Sequence, residues 1–274
     1  MNHAIGFVVL SHEQPIQIIR LLETLKQLFD DPPICVHHDQ SKSSLDTQQF
    51  KSRFTHVAED HVATEWGGFS LVDGTIAALK LMQERTGLPN WTFVISGACY
   101  PVKPSSCFFS HLETTPHDAH INHELIETSN IKRPWHQVCC DRYLNSGDNP
   151  FNTLFPCYAG SQWFHANRKS IEYLIRFHDR NPLLKQYYVN LERQRGLIVP
   201  DESYYQTIMA NNFSLSLSQD IKHFVDWSGP GGRPKALNHD DLEMLRASEC
   251  LFARKFDYTH SAQLLDAIDD ELGI

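Results

Sequence analysis

Two groups of side chains in this 274-residue chain have types and spacing that could do chemistry. The first is a carboxylate pair, Asp201 and Glu202, directly after Pro200. A carboxylate at a helix start can complement the helix dipole, and it can also take a proton from a hydroxyl. Asp201, the more N-terminal of the two, is the better cap, which leaves Glu202 freer to face a cleft. The second group is Arg233, Lys235, Arg254 and Lys255. Such cations are commonly solvated surface charge, yet they can also meet the negative charge of a departing anion. Arg254 and Lys255 stand between Phe252 and Phe256, so at least one of them is expected against buried structure.

Stepping along the chain gives the elements that must position these groups. Ile5 to Leu10 is a strand-like run, and Ile16, Ile19, Leu22, Leu25 and Leu28 follow at helical spacing. Pro32-Pro33 precedes a second short strand, Ile34 to His37. Ser70 to Arg85 reads as a helix ended near Gly87, and Trp91 to Ile95 as a third strand. Strands alternating with helices predict an α/β fold with helices over a central sheet. In the second half, Ser161 to His165 reads as a strand, Asn167 to His178 as a helix capped by Asn167, and Asp201 to Ala210 as a helix. Asp226 to Pro234 is a loop, and the chain is helical from Ser261. One domain over residues 1–274 is expected, with a nucleotide-binding half (1–115) and an acceptor and catalytic half (116–274).

In open α/β sheets ligands sit at the carboxyl ends of the strands. Here those ends carry Ser11-His12-Glu13, His38-Asp39-Gln40-Ser41-Lys42 and Ser96-Gly97. Any one of them would pass for a turn or cap; three in succession favour a ligand cleft. His37-His38-Asp39 could suggest a metal site, but adjacent strand residues point to opposite faces, so packing or surface histidines are the better reading. No G-x-G-x-x-G follows the first strand, and neither a P-loop nor a G-x-S-x-G elbow is present.

Composition bounds the function class. The 33 acidic residues against 24 Lys and Arg give a net charge of −9, which argues against a general nucleic-acid binder. No apolar run approaches the roughly 20 residues a membrane span needs, and Met1-Asn2-His3 does not open a signal peptide. Seven cysteines without a C-x-x-C pair predict free thiols and a cytoplasmic protein.

Several stretches then act together. They are Val8-Val9-Leu10-Ser11-His12, Val36 to Lys42, Trp66-Gly67-Gly68-Phe69-Ser70-Leu71-Val72, and Phe93 to Gly97 with Tyr100-Pro101-Val102-Lys103. Gly160 to Phe164, Val199 to Tyr204, Trp227 to Lys235 and Leu251 to Asp257 follow. Each is weak alone, but in this order and spacing they resemble the core-2/I-branching β-1,6-N-acetylglucosaminyltransferase family, glycosyltransferase family 14, which includes the peptide O-xylosyltransferases. The resemblance implies a GT-A-type nucleotide-sugar transferase fold with a mixed central sheet flanked by helices. It implies a UDP-sugar donor, a glycan acceptor and inversion at the anomeric carbon. It also implies no divalent metal cofactor, and indeed no Asp-x-Asp occurs in the chain.

By the same resemblance Glu202 is the catalytic base and Lys255 a phosphate-binding cation, with Arg233 or Lys235 as the second. Asp39 would face the nucleoside, and Ser11, His12, Ser96 and Gly97 would line the donor site. Trp163, as a sugar platform or a core tryptophan, and Glu124 and Arg142, from the stretch Asn122 to Tyr143, are candidates toward the acceptor. N-acetylglucosamine is the first donor expected and xylose the second. One departure bears on the donor sugar: Cys99 stands where the family carries an aspartate before Tyr100-Pro101. A bacterial relative working at the inner membrane face, without a spanning segment, is the expected setting. Two other classes compete, a non-catalytic carbohydrate- or nucleotide-binding module and a metal-dependent hydrolase built on the histidines.

Overall fold

A computed structural model describes residues 3–50, 52–59 and 61–274; Met1 and Asn2 lie outside the described residues. In chain order the elements are β1 (Ile5–Ser11), α1 (Pro15–Phe29), β2 (Ile34–His38), β3 (Thr55–Val57), α2 (Ser70–Arg85), β4 (Trp91–Ser96), β5 (Tyr100–Pro101) and α3 (Ser105–Thr114). They continue with β6 (Ala119–Ile121), β7 (Glu124–Ile126), α4 (Pro134–Tyr143), β8 (Cys157–Ala159), β9 (Phe164–Asn167), α5 (Arg168–Arg180) and α6 (Pro182–Arg195). The last are α7 (Tyr204–Ala210), β10 (Leu217–Ser218), β11 (His223–Val225), α8 (Leu242–Ala247), β12 (Phe252–Arg254) and α9 (Tyr258–Leu272).

The central sheet has seven strands in the order β10-β6-β9-β4-β1-β2-β3. β4, β1, β2 and β3 run parallel, as the alternation of strands and helices predicts, whereas β9 runs antiparallel between β4 and β6. Every residue of β1 is buried, because both faces of the sheet are covered. Side chains alternate: Val8 packs on the face under α2, α5, α6 and α7, while Phe7 and Val9 pack on the face under α1, α3 and α9. A small sheet, β11-β12-β5, lies beside the carboxyl end of β4 and carries the segment that ends in Arg254.

Most helices fall where periodicity put them. Asn167 caps α5 by accepting from the Ser170 amide. The segment after Pro200 differs: Pro200–Glu202 is a separate 3₁₀ turn, and α7 starts only at Tyr204. Val199 and Ser203 have non-helical backbone on either side of that turn, so one continuous helix cannot form there. The strand expected over Ser161 to His165 is shorter and later, as β9, since Ser161 to Trp163 form the turn leading into it. All seven cysteines are free thiols.

Candidate active site

The carboxyl ends of β1, β2 and β4 are tied to one another by backbone and side chain. The Gly97 amide donates to the Leu10 carbonyl at 2.8 Å, and the Asp39 amide to the Ser11 carbonyl at 2.9 Å. Glycine is required at 97 because a Cβ there would stand 2.9 Å from Ile18 and 3.1 Å from Ser11. Ser11 Oγ lies 2.9 Å from His38 Nδ1. His37 instead accepts the Val62 amide through Nε2, so the two histidines serve different partners, as strand geometry requires.

Asp39 is fully buried. One of its carboxylate oxygens accepts from the Ser41 amide and hydroxyl, and the other from the Thr64 amide and hydroxyl. Burial pushes its pKa up, but these donors outweigh burial and hold it well below the usual range. The carboxylate expected to face a nucleoside is thus engaged in clasping the loop after β2 to the segment before α2. Thr64, its partner, carried no signal in the sequence. His12 sits half exposed near Lys42 and Lys255; burial lowers its pKa, Glu13 opposes, and the two lysines lower it further.

Glu202 is held from several sides. Its carbonyl accepts the Gly160 amide at 2.8 Å. A Cβ at 160 would meet the Asn122 carbonyl oxygen at 1.8 Å, so only glycine lets the end of β8 approach this closely. The Ile198 and Val199 amides donate to the Gly67 carbonyl, and Tyr143 Oη to the Val199 carbonyl at 2.7 Å. Ser203 Oγ donates to the Tyr158 carbonyl, and Gln206 to the Ser161 carbonyl. Val199, a β-branched residue, is kept at φ 51°, a sparsely populated conformation that clusters at functional sites. The motifs Trp66-Gly67-Gly68, Gly160-Ser161 and Pro200-Asp201-Glu202, far apart in sequence, therefore meet in one place.

The Glu202 carboxylate is 31% exposed and stands 3.6 Å from Arg142. Burial raises its pKa, and the positive charges of Arg142 and Arg254 oppose that rise. Such a carboxylate is more basic than a solvated one. Arg142, expected toward an acceptor, stands beside Glu202 as its counter-ion. Asp201 does not cap α7: no side-chain cap bond is made at that helix start. It is 4% exposed with Oδ1 unpartnered, and burial, reinforced by Glu202, pushes its pKa up to about 7.

Arg254 and Lys255 divide between inside and outside, as their flanking phenylalanines suggest. The Arg254 guanidinium lies over the Trp163 ring, 4.9 Å from its centroid, and beside Cys99, whose thiol burial pushes up. Arg254 thus joins the end of β4 to Glu202. Trp163 is 6% exposed, and Arg254 covers a face that a sugar ring would need. Lys255 is exposed, with no hydrogen bond or ion pair from its side chain among the described residues. Lys235 pairs with Asp241 at 2.7 Å, whereas exposed Arg233 has no such partner among the described residues. Ser96 Oγ is 3.2 Å from Cys99 Sγ. Glu124 is engaged by Arg133 and by His136 at 3.0 Å.

Comparison with known proteins adds to this geometry. The model of the Core-2/I-branching enzyme family matches residues 5–248. Rat xylosyltransferase 1 is 25% identical over 98% of this chain and 35% of its own length. Human xylosyltransferase 1 is 24% identical over 97% of this chain and 30% of its own. The Arabidopsis thaliana β-glucuronosyltransferase GlcAT14B is 26% identical over 75% and 49%. The chain therefore spans about a third to a half of the length of these relatives. Among solved structures, an active-site mutant of LgtC is 10% identical with a TM-score of 0.49, covering 98% of this chain and 95% of its own. Mouse xyloside xylosyltransferase 1 is 9% identical with a TM-score of 0.44, covering 95% and 99%. Numbered among themselves, the central strands run 3-2-1-4-6-5-7 with the sixth reversed, the mixed sheet expected of a GT-A-type fold.

Proposed function

Because the chain belongs to the Core-2/I-branching enzyme family, we propose that it is an inverting glycosyltransferase that moves a sugar from a UDP-sugar to a hydroxyl of a glycan acceptor. The observation that carries this reading is Glu202, a partly buried carboxylate between Arg142 and Arg254 at the meeting point of three sequence motifs. In an inverting transfer the acceptor hydroxyl attacks the anomeric carbon as its proton passes to a base, and the sugar–phosphate bond breaks toward UDP. Glu202 is that base. Its raised basicity favours proton transfer, and the neighbouring arginines favour its charged form.

The UDP that leaves gains charge, and something must meet it. The chain has no Asp-x-Asp to hold an ion, so we assign that task to side-chain cations and propose that transfer needs no divalent metal. Lys255 and Arg233 are exposed and uncommitted, which suits them to a diphosphate; Lys235 is committed to Asp241. Arginine can grip a phosphate with two parallel bonds, whereas lysine offers a mobile point charge. Ser11, His12, Ser96 and Gly97 border the donor at the strand ends.

N-acetylglucosamine is the donor suggested by the branching enzymes. UDP-xylose is the second reading, favoured by relatives described as xylosyltransferases. A screen of UDP release over a panel of UDP-sugars tests both, since donor hydrolysis requires no identified acceptor. Release from UDP-N-acetylglucosamine or UDP-xylose well above the other sugars supports the reading. Absence of UDP release from every donor, with no UDP binding by calorimetry, overturns it in favour of a carbohydrate-binding module.

A further inference from the structure

A cluster of histidines outside the catalytic region has no part in the transfer chemistry. His165 on β9 is in register with His120 on β6 and with Phe93 on β4, so the three rings lie side by side on one face of the central sheet. His111 reaches them from α3, with its Nε2 3.0 Å from His165 Nε2. One nitrogen from each of the three lies within 4.8 Å of the others. We propose that His111, His120 and His165 form a binding site for a transition-metal dication of the zinc class, separate from the donor site.

The donor set fits such an ion. Zinc is held by imidazole nitrogens at about 2.0–2.1 Å in a tetrahedron, which places ligand nitrogens roughly 3.3 Å apart. The separation of 3.0 Å between His111 and His165 is close to that. Between two neutral imidazoles this spacing is bridged by one shared proton, and an ion can take the proton's place. His120 Nδ1 lies 2.9 Å from the Asp220 carbonyl. A carbonyl can only accept, so Nδ1 carries the proton, and the Nε2 lone pair accepts from the Thr115 hydroxyl at 2.8 Å, which an ion must displace.

Lys222 is the charge that opposes a cation here, and its pairing with Asp220 and Glu249 offsets it. A cleft of about 580 Å³, lined by Ser110, His111, Lys222 and Glu249 among others, reaches His111 from outside. It supplies a way in to His111.

Binding must change the cluster in one specific way. Phe93, His165 and His120 form a stack, each neighbouring pair of rings 4.4 Å apart and 9° from parallel. An ion lies near the plane of each ring that binds it, and parallel stacked rings do not share a plane. His120 must turn out of the stack when the ion enters. Phe93, three residues before Ser96 on β4, places the site beneath the strand ends rather than at them.

The test is titration of chelator-treated protein with Co²⁺, followed by competition with Zn²⁺. The proposal expects one equivalent of Co²⁺ with the visible bands of a tetrahedral nitrogen site, their loss on adding Zn²⁺, and a shift in the His120 ring resonances. His111→Ala, at a half-buried position on the cleft, should weaken binding at least tenfold while far-UV circular dichroism is unchanged. No tetrahedral Co²⁺ spectrum, or equal affinity in His111→Ala, overturns it. None of these readouts involves UDP release, so the proposal stands or falls apart from the assignment of glycosyl transfer.

Discussion

Asp201→Asn should stabilise the protein in a pH-dependent manner. The native carboxyl is 4% exposed, lacks a partner for Oδ1, and has its pKa pushed up to about 7 from an ordinary 3.8. Between those two pH values the folded chain holds a proton that the unfolded chain has released. Stability therefore falls as pH rises through that window and levels off above about 7. A shift of about 3 units corresponds to roughly 4 kcal/mol as an upper bound, and relaxation around a charged group brings the expected value to about 2 kcal/mol. Asparagine has the shape of the protonated acid but cannot ionise. The variant should match wild type within about 0.5 kcal/mol at pH 4 and exceed it by about 2 kcal/mol at pH 8, worth several degrees in melting temperature. Urea denaturation at both pH values measures this. A variant less stable than wild type at pH 8, or a difference that does not change with pH, refutes the reasoning.

Arg142→Gln removes one of the charges that oppose the raised pKa of Glu202, so the acid limb of the kcat/KM profile should move to higher pH; an unmoved limb would break the link between the pair. Lys255→Ala and Arg233→Ala should raise KM for the UDP-sugar with little change in melting temperature, because both side chains are exposed and unpaired among the described residues. Lys235→Ala should instead cost about 1 kcal/mol of stability by freeing Asp241, with a smaller effect on donor binding, as melting and KM measured together will tell. Arg254→Ala uncovers Trp163 and should lower both turnover and stability, the lost cation–π contact alone being worth about 0.5–2 kcal/mol.

How far the sequence could be read follows from what each residue depends on. β1, β2, α2 and β4 answer to local pattern, since their side-chain periods report directly on which faces are buried. The antiparallel place of β9 does not, because four residues between β4 and β6 carry no mark of their neighbours' direction. Pro200-Asp201-Glu202 stood out as a carboxylate pair, but the division of labour within it was legible only in part. The helix expected at Asp201 presumes a cap, and the actual turn buries Asp201 and leaves Glu202 partly exposed, since Val199 and Ser203 break the helix on both sides. The pairing of Arg142 with Glu202 and that of Thr64 with Asp39 escape for a simpler reason. The partners stand 60 and 25 positions apart respectively, and pairing over that distance leaves no local signature. Trp163 was balanced between a sugar platform and the core, and Arg254 lying across its ring places it in the core.

The central claim is that Glu202 takes the proton while protein cations, rather than a metal, meet the charge on UDP. The most direct test is the rate of UDP release in excess EDTA, in wild type and in Glu202→Gln, with the best donor from the panel. The account predicts equal wild-type rates in EDTA and in added Mn²⁺. It predicts a rate about 10²–10⁴ lower in Glu202→Gln, with UDP binding retained. Activity abolished by EDTA and restored by Mn²⁺, or full turnover in Glu202→Gln, would contradict it.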